Sequence, residues 1–222
     1  MRGTRMVWVC ALIAVACQSG RGTKASVDPR MAQPKVELQL NFDRTQPESM
    51  PSGFTALAGA WSVVEDPTAP SKSRAFASTA PDAKLPCNLA LLDDVRVAEV
   101  ELTVKLRAVS GEEEQGGGLV WRAKDAKNFY LARWNPREKN LRLFEVIDGE
   151  KRQLATDSVR VEPGWHELRI TAKGEQMRVY LDGRAYLQAK DASFLEPGKV
   201  GLWTRADART YFDDLEIKSR AK

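Results

Sequence analysis

From Val36 onward, apolar and polar side chains alternate in short runs broken by turn residues, and no 3.6-residue period is sustained. Alternation of period two sends one set of side chains into a core and the other outward, which is the pattern of half-buried strands. The clearest runs are Val36–Phe42, Trp61–Val64, Arg74–Ser78, Val95–Ala108, Gly117–Arg122, Phe129–Trp134, Leu141–Ile147, Arg152–Ala155, Trp165–Ala172, Met177–Leu181, Ala185–Ala189, Val200–Thr204 and Thr210–Ile217. Between several of them stand Asp148-Gly149, Asp182-Gly183, Pro163-Gly164, Pro197-Gly198 and Lys173-Gly174. Asp-Gly between alternating runs predicts a tight hairpin, because both residues tolerate positive φ. About thirteen strands in one stretch predict an all-β fold of two packed antiparallel sheets rather than two domains. Leu38 and Leu40 are expected to pair with Leu215 and Ile217, closing the sandwich with its two end strands.

The first residues break this pattern. Arg2 and Arg5 precede an apolar stretch from Met6 to Ala16, too short to span a bilayer, and Cys17 follows the small residue Ala16. Residues 1–17 read as a secretory signal, and Leu12 to Cys17 resembles a bacterial lipobox, in which the cysteine is lipidated after cleavage. Cleavage elsewhere nearby stays open, because Ala14 stands where leucine is usual. Residues 18–34 read as a flexible tether and 35–219 as the sandwich domain. The protein is thus expected to be exported and either held in the cell envelope by lipid on Cys17, its only membrane contact, or secreted.

Composition then narrows the chemistry. The chain has 222 residues, with 34 Lys+Arg against 30 Asp+Glu, a formal charge of +4 that falls to +2 without Arg2 and Arg5. This excess is too small and too dispersed for a nucleic-acid footprint. One histidine and three cysteines exclude most zinc sites and any disulfide-dense scaffold. With Cys10 removed and Cys17 lipidated, Cys87 is left in the domain, and its apolar setting suggests a buried, inert thiol.

Specific motifs carry a resemblance. Gly116-Gly117-Gly118-Leu119-Val120-Trp121-Arg122, followed by Asp125 and Asn128 to Arg133, is similar to a block of concanavalin A-like bacterial jelly-roll domains. Gly164 to Arg169, Val179 to Gly183, Gly198 to Thr204 and Tyr211 to Leu215 continue the likeness in order. The group resembled is that of the 3-keto-disaccharide hydrolases, which shades into laminin-G-like and family 16 glycoside-hydrolase-like sandwiches. The resemblance implies an all-β, concanavalin A-like jelly-roll sandwich of two antiparallel sheets. For activity it leaves lectin, adhesion module and hydrolase open.

Candidate chemistry follows from parity along the strands. Arg122 is expected on the face of Val120, Arg133 on that of Leu131 and Phe129, and Arg205 on that of Trp203. Sugar recognition uses flat apolar rings against C–H faces and planar donors against hydroxyls, so Arg122, Arg133, Trp203 and Arg205 form the predicted ligand-binding set on a concave sheet. The alternative is that Trp121, Trp165 and Trp203 fill the inter-sheet core. His166, the only histidine, falls on the core side with Leu168 and Ile170, which disfavours it as a base. Phe212 and Leu215 can both point inward only across a bulge at Asp213-Asp214. Such a bulge either holds a structural cation, calcium rather than zinc, or is a plain edge feature. Glu112-Glu113-Glu114 reads as a solvated hairpin tip.

Two functions remain open: an exported, monomeric carbohydrate binder, or an enzyme acting on 3-keto-glycosides as the resemblance implies. An Asp or Glu beside Arg122 or Arg133 would favour the enzyme.

Overall fold

The computed structural model describes residues 35–80 and 87–219, which form strands and no helix. The strands are β1 (Val36–Leu40), β2 (Phe54–Ala58), β3 (Ala60–Glu65), β4 (Arg74–Ala80), β5 (Asn88–Val97), β6 (Val100–Ser110), β7 (Gly117–Ala123) and β8 (Phe129–Asn135), followed by β9 (Asn140–Ile147), β10 (Glu150–Ser158), β11 (His166–Lys173), β12 (Gln176–Leu181), β13 (Arg184–Lys190), β14 (Gly198–Thr204) and β15 (Arg209–Ser219). They build two antiparallel sheets. One runs β13-β12-β11-β6-β15-β4-β3, with β1 also paired to β15; the other runs β10-β9-β8-β7-β14-β5-β2. This is the predicted jelly-roll sandwich. The end strands pair as expected, and the register sets Leu38 opposite Ile217 and Leu40 opposite Leu215.

The Asp-Gly signals act as hairpin turns. Asp148 and Gly149 have φ of 52° and 89°, and Asp182 and Gly183 have 48° and 77°. These are left-handed conformations that the two residue types adopt at low cost. Two expectations about strands are corrected. Val95–Ala108 is not one strand, because the chain reverses at Ala98-Glu99 between β5 and β6. The short β2, whose Phe54 is buried, carries too little alternation to stand out.

Alternation sorts the seven-stranded sheet into two apolar sets. Leu119, Trp121, Tyr130, Ala132, Leu141, Leu143 and Leu202 face the other sheet and join Leu102, Val104, Leu168, Ile170 and Phe212 in the inter-sheet core. Leu89, Leu91, Val120, Phe129, Leu131, Phe144 and Trp203 form a separate buried cluster on the opposite face. Trp121 is therefore the core filler expected of it, whereas Trp165 is half-buried outside the core. Its Nε1 donates to Thr68 Oγ1, and the Arg107 guanidinium lies 5.6 Å from the ring centroid.

The bulge at Asp213-Asp214 is present. Asp213 pairs with Lys105 and Glu216 with Thr103, and Asp214 has φ of 47°. Both Phe212 and Leu215 are buried as a result. Asp213 is spent inside the chain: Oδ2 accepts the Ser71 N–H at 2.8 Å and Oδ1 accepts the Asp214 N–H at 2.8 Å. Among the described residues no three His, Cys, Asp or Glu side chains come together to hold a metal ion.

Candidate functional site

Strand register builds a row across the outer face of the seven-stranded sheet. Leu89 of β5 lies opposite Trp203 of β14, Trp203 opposite Gly118 of β7, Gly118 opposite Arg133 of β8, and Arg133 opposite Arg142 of β9. Gly118 contributes no side chain between the indole and the guanidinium, because neighbouring backbone closes in on it. A Cβ there would lie 1.9 Å from the Ala132 carbonyl oxygen. The face is concave. Lys151, on edge strand β10, places its ammonium 5.5 Å from the Trp203 ring centroid, four strands away in sheet order. In a flat sheet four strand spacings are about 19 Å, beyond the reach of the two side chains without a strong curl.

Arg133 is buried at one end of this face and shared by two carboxylates. Its Nη1 lies 3.3 Å from Glu114 Oε2, and its Nη2 donates to Glu138 Oε2 and, at 3.2 Å, to Asn140 Oδ1. Glu114 also accepts from Asn135 Nδ2 at 2.8 Å and, through Oε1, from Arg205 Nη1 at 2.5 Å. Glu138 further accepts from Asn140 Nδ2 at 2.9 Å and faces Arg142 Nη1 at 3.4 Å. Burial raises the pKa of Glu138, but Asn140, Arg133 and Arg142 outweigh it and hold the carboxyl below its ordinary range. The rim around this buried centre is open: Arg205, Glu138 and Lys151 are exposed and Arg142 is half-buried.

Loops deliver the acids. Glu114 arrives on the β6–β7 loop, where the Asp207 carboxylate accepts the backbone N–H groups of Glu112, Glu113 and Glu114. Gly111 and Gly116 bracket that loop at φ of 145° and 78°. Glu138 arrives on the β8–β9 turn, where its N–H donates to Asn135 Oδ1 at 3.0 Å.

Of the four predicted ligand-binding residues, Arg133, Trp203 and Arg205 come together and Arg122 does not. Arg122 has φ of 50°, which sits at the register shift between Lys199 and Gly201 of β14 and turns its side chain away from the face of Val120. Its guanidinium is buried and donates to the carbonyls of Ala98, Phe194 and Gly174 at 2.8, 2.9 and 2.8 Å. Arg122 thus ties β7 to the β5–β6, β13–β14 and β11–β12 connections, with every guanidinium nitrogen hydrogen-bonded there. Trp203 is 2% exposed and lies under Lys151, so its ring is a wall of the site rather than an open platform.

Sequence reasoning missed Glu114, Glu138, Asn135, Asn140 and Lys151. The Glu112-Glu113-Glu114 run reads as a solvated tip, and only Gly111 and Gly116 around it hint at a shaped loop. Cys87 packs against the concave cluster and hydrogen-bonds Trp203; burial pushes its thiol pKa up, away from nucleophilic chemistry. His166 lies on the core side as expected. Its ring meets Trp134 edge-on at 5.0 Å, Nδ1 lies 2.7 Å from Asp182 Oδ2, and Nε2 lies 2.8 Å from Glu162 O. The proposed leader, tether and Cys17 lie outside the described residues.

No protein-family profile matches the chain. A levanase from Bacillus subtilis (strain 168) is 31% identical over 126 residues, which are 54% of this chain and 17% of that protein. The chain therefore spans under a fifth of the length of this curated relative. Among solved structures, the carbohydrate binding module CBM66 from B. subtilis superposes with a TM-score of 0.64 at 22% identity, covering 75% of this chain and 96% of the module. A Bacillus licheniformis β-glucanase superposes with a TM-score of 0.58 at 10% identity, covering 85% of this chain and all of the enzyme. The fold is accordingly the concanavalin A-like jelly roll.

Proposed function

We propose that the chain is an exported, non-catalytic β-sandwich that binds a carbohydrate at the Arg133 end of its concave face. The observation that carries this reading is the buried Glu114–Arg133–Glu138 network, opening onto a rim of Arg142, Arg205 and Lys151. Sugar hydroxyls both donate and accept, so fixed carboxylates and planar guanidinium groups side by side match vicinal hydroxyls. A network already held together in the folded chain needs little ordering on binding. The likeness to a carbohydrate binding module and to part of a levanase supports the same reading. Export, and retention in the envelope through Cys17, rest on the leader.

The enzymatic alternative is turnover of 3-keto-glycosides, and the carboxylates beside Arg133 are the feature that favours it. Both are committed, however. Glu114 uses each oxygen on a cation, and Glu138 is held ionised, which makes it a weak base. Binding without turnover is the better match. The test is calorimetry of the full chain against an oligosaccharide panel that includes levan fragments, run beside turnover assays on 3-keto-glucosides. Saturable binding lost in Arg133→Ala supports the binder. Turnover lost in Glu138→Gln replaces it with the enzyme.

A further inference from the structure

Within the ion-pair network of the concave site and the lysine beside it, cations outnumber carboxylates. Four cations, Arg133, Arg142, Arg205 and Lys151, gather there around two carboxylates, Glu114 and Glu138. The acids are shared: Glu114 serves Arg133 and Arg205, and Glu138 serves Arg133 and Arg142. Lys151 has no carboxylate within ion-pair distance among the described residues, and its ammonium rests on the Trp203 ring. A cation–π contact at an accessible site supplies only about 0.5–1 kcal/mol and leaves the charge in place. The walls of the concave face shed water from this ammonium, and Arg205 and Arg133 add to the effect, so its pKa lies below the ordinary lysine value. Such uncompensated charge at a rim attracts anions.

The geometry points to an acidic glycan as the ligand, its anionic substituent held by Lys151 and Arg205 while its ring hydroxyls meet Glu138 and Arg142. This deepens the carbohydrate reading and rests on it. The division of labour follows exposure. Arg133 and Glu114 are buried and set the geometry, whereas Lys151 and Arg205 are exposed and free to take up a ligand group. Arg205 is already oriented by Glu114, so its guanidinium keeps unused N–H donors in a fixed plane, suited to a carboxylate or a sulfate. A neutral sugar makes the hydroxyl contacts and leaves the excess charge where it is.

The test is a glycan array of matched oligosaccharides, each present in neutral, uronate and sulfated forms, probed with the full chain and followed by calorimetry on the best pair. An acidic form is expected to bind about tenfold tighter than its neutral counterpart, the increment of one charge-assisted hydrogen bond. Lys151→Gln, at an exposed position, is expected to abolish that preference, so that acidic and neutral forms bind alike, and Lys151→Arg to restore it. Rising salt should weaken the acidic ligand selectively. The uronate and sulfate arms identify the anion. Equal binding of neutral and acidic forms overturns this inference and leaves carbohydrate binding standing, whereas a folded protein that binds no glycan overturns both.

Discussion

Glu114 Oε2 lies 3.3 Å from Arg133 Nη1 with both side chains buried, although one comes from a loop and the other from mid-sheet. A buried ion pair broken on one side leaves a charge without its partner, at a cost of about 3–5 kcal/mol. Glu114→Ala should therefore destabilise the domain by about 3 kcal/mol in urea unfolding and weaken glycan binding at least about tenfold. Arg205→Ala, at the exposed end of the same network, should weaken binding with a loss of stability under about 1 kcal/mol.

Arg122 tests whether a buried arginine in this sheet is structural. Arg122→Met removes the hydrogen bonds to the carbonyls of Ala98, Phe194 and Gly174. A loss of about 3 kcal/mol is expected from three buried hydrogen bonds to a charged group. Glycan affinity, measured well below the melting transition, should be unchanged. A variant of full stability and impaired binding would return Arg122 to the site.

At position 118 even a methyl group has no room. Gly118→Ala places a Cβ 1.9 Å from the Ala132 carbonyl oxygen and 3.1 Å from the Arg133 Cα. Backbone must shift to admit it, so a destabilisation of about 3 kcal/mol or more is expected in thermal unfolding. The sheet would have to move beneath Arg133, and glycan affinity should fall with it.

Asp207 makes the Glu114 loop sensitive to acid. Burial, the largest single influence, raises its pKa, but the N–H groups of Glu113, Glu114 and Glu112 together prevail and hold it below the ordinary aspartate value. The folded chain thus favours the ionised form more than the unfolded chain does. Its stabilisation is complete above the unfolded value of about 3.9 and is lost as pH falls through the lower folded value. Stability should decline below about pH 4, and Asp207→Asn should flatten that part of the profile in urea titrations.

Cys17 offers a test of the leader. Expressed in a bacterium with a lipoprotein pathway, the chain should take up labelled fatty acid and partition with membranes, and Cys17→Ser should abolish both. Labelling that survives the substitution would place the modification elsewhere.

The architecture was legible because the strands are half-buried, and half-burial writes itself as alternation. The pairing of the two end strands was readable from their apolar runs, and the bulge that buries both Phe212 and Leu215 followed from parity. Parity also placed Arg133 correctly and misplaced Arg122, because one left-handed residue reverses the face and nothing in Val120-Trp121-Arg122 announces it. Glu114 and Glu138 were invisible for a different reason. They stand on loops, where no period applies, and their roles are set by Asp207 and Asn135, residues 93 and 3 positions away. Lys151 depends on the curl of a whole sheet, which no local pattern encodes.

The rung that joins Val36 to Ser219 also has a mechanical side. Because both ends of the domain leave from the same end of one antiparallel ladder, tension applied between them opens β1 from β15 one hydrogen bond at a time, like a zipper. A domain tethered at one end only never loads that ladder in this way, whereas the same domain strung in series between two anchored neighbours yields at low force. Held by a single tether, it would resist a pull that the strung arrangement does not survive.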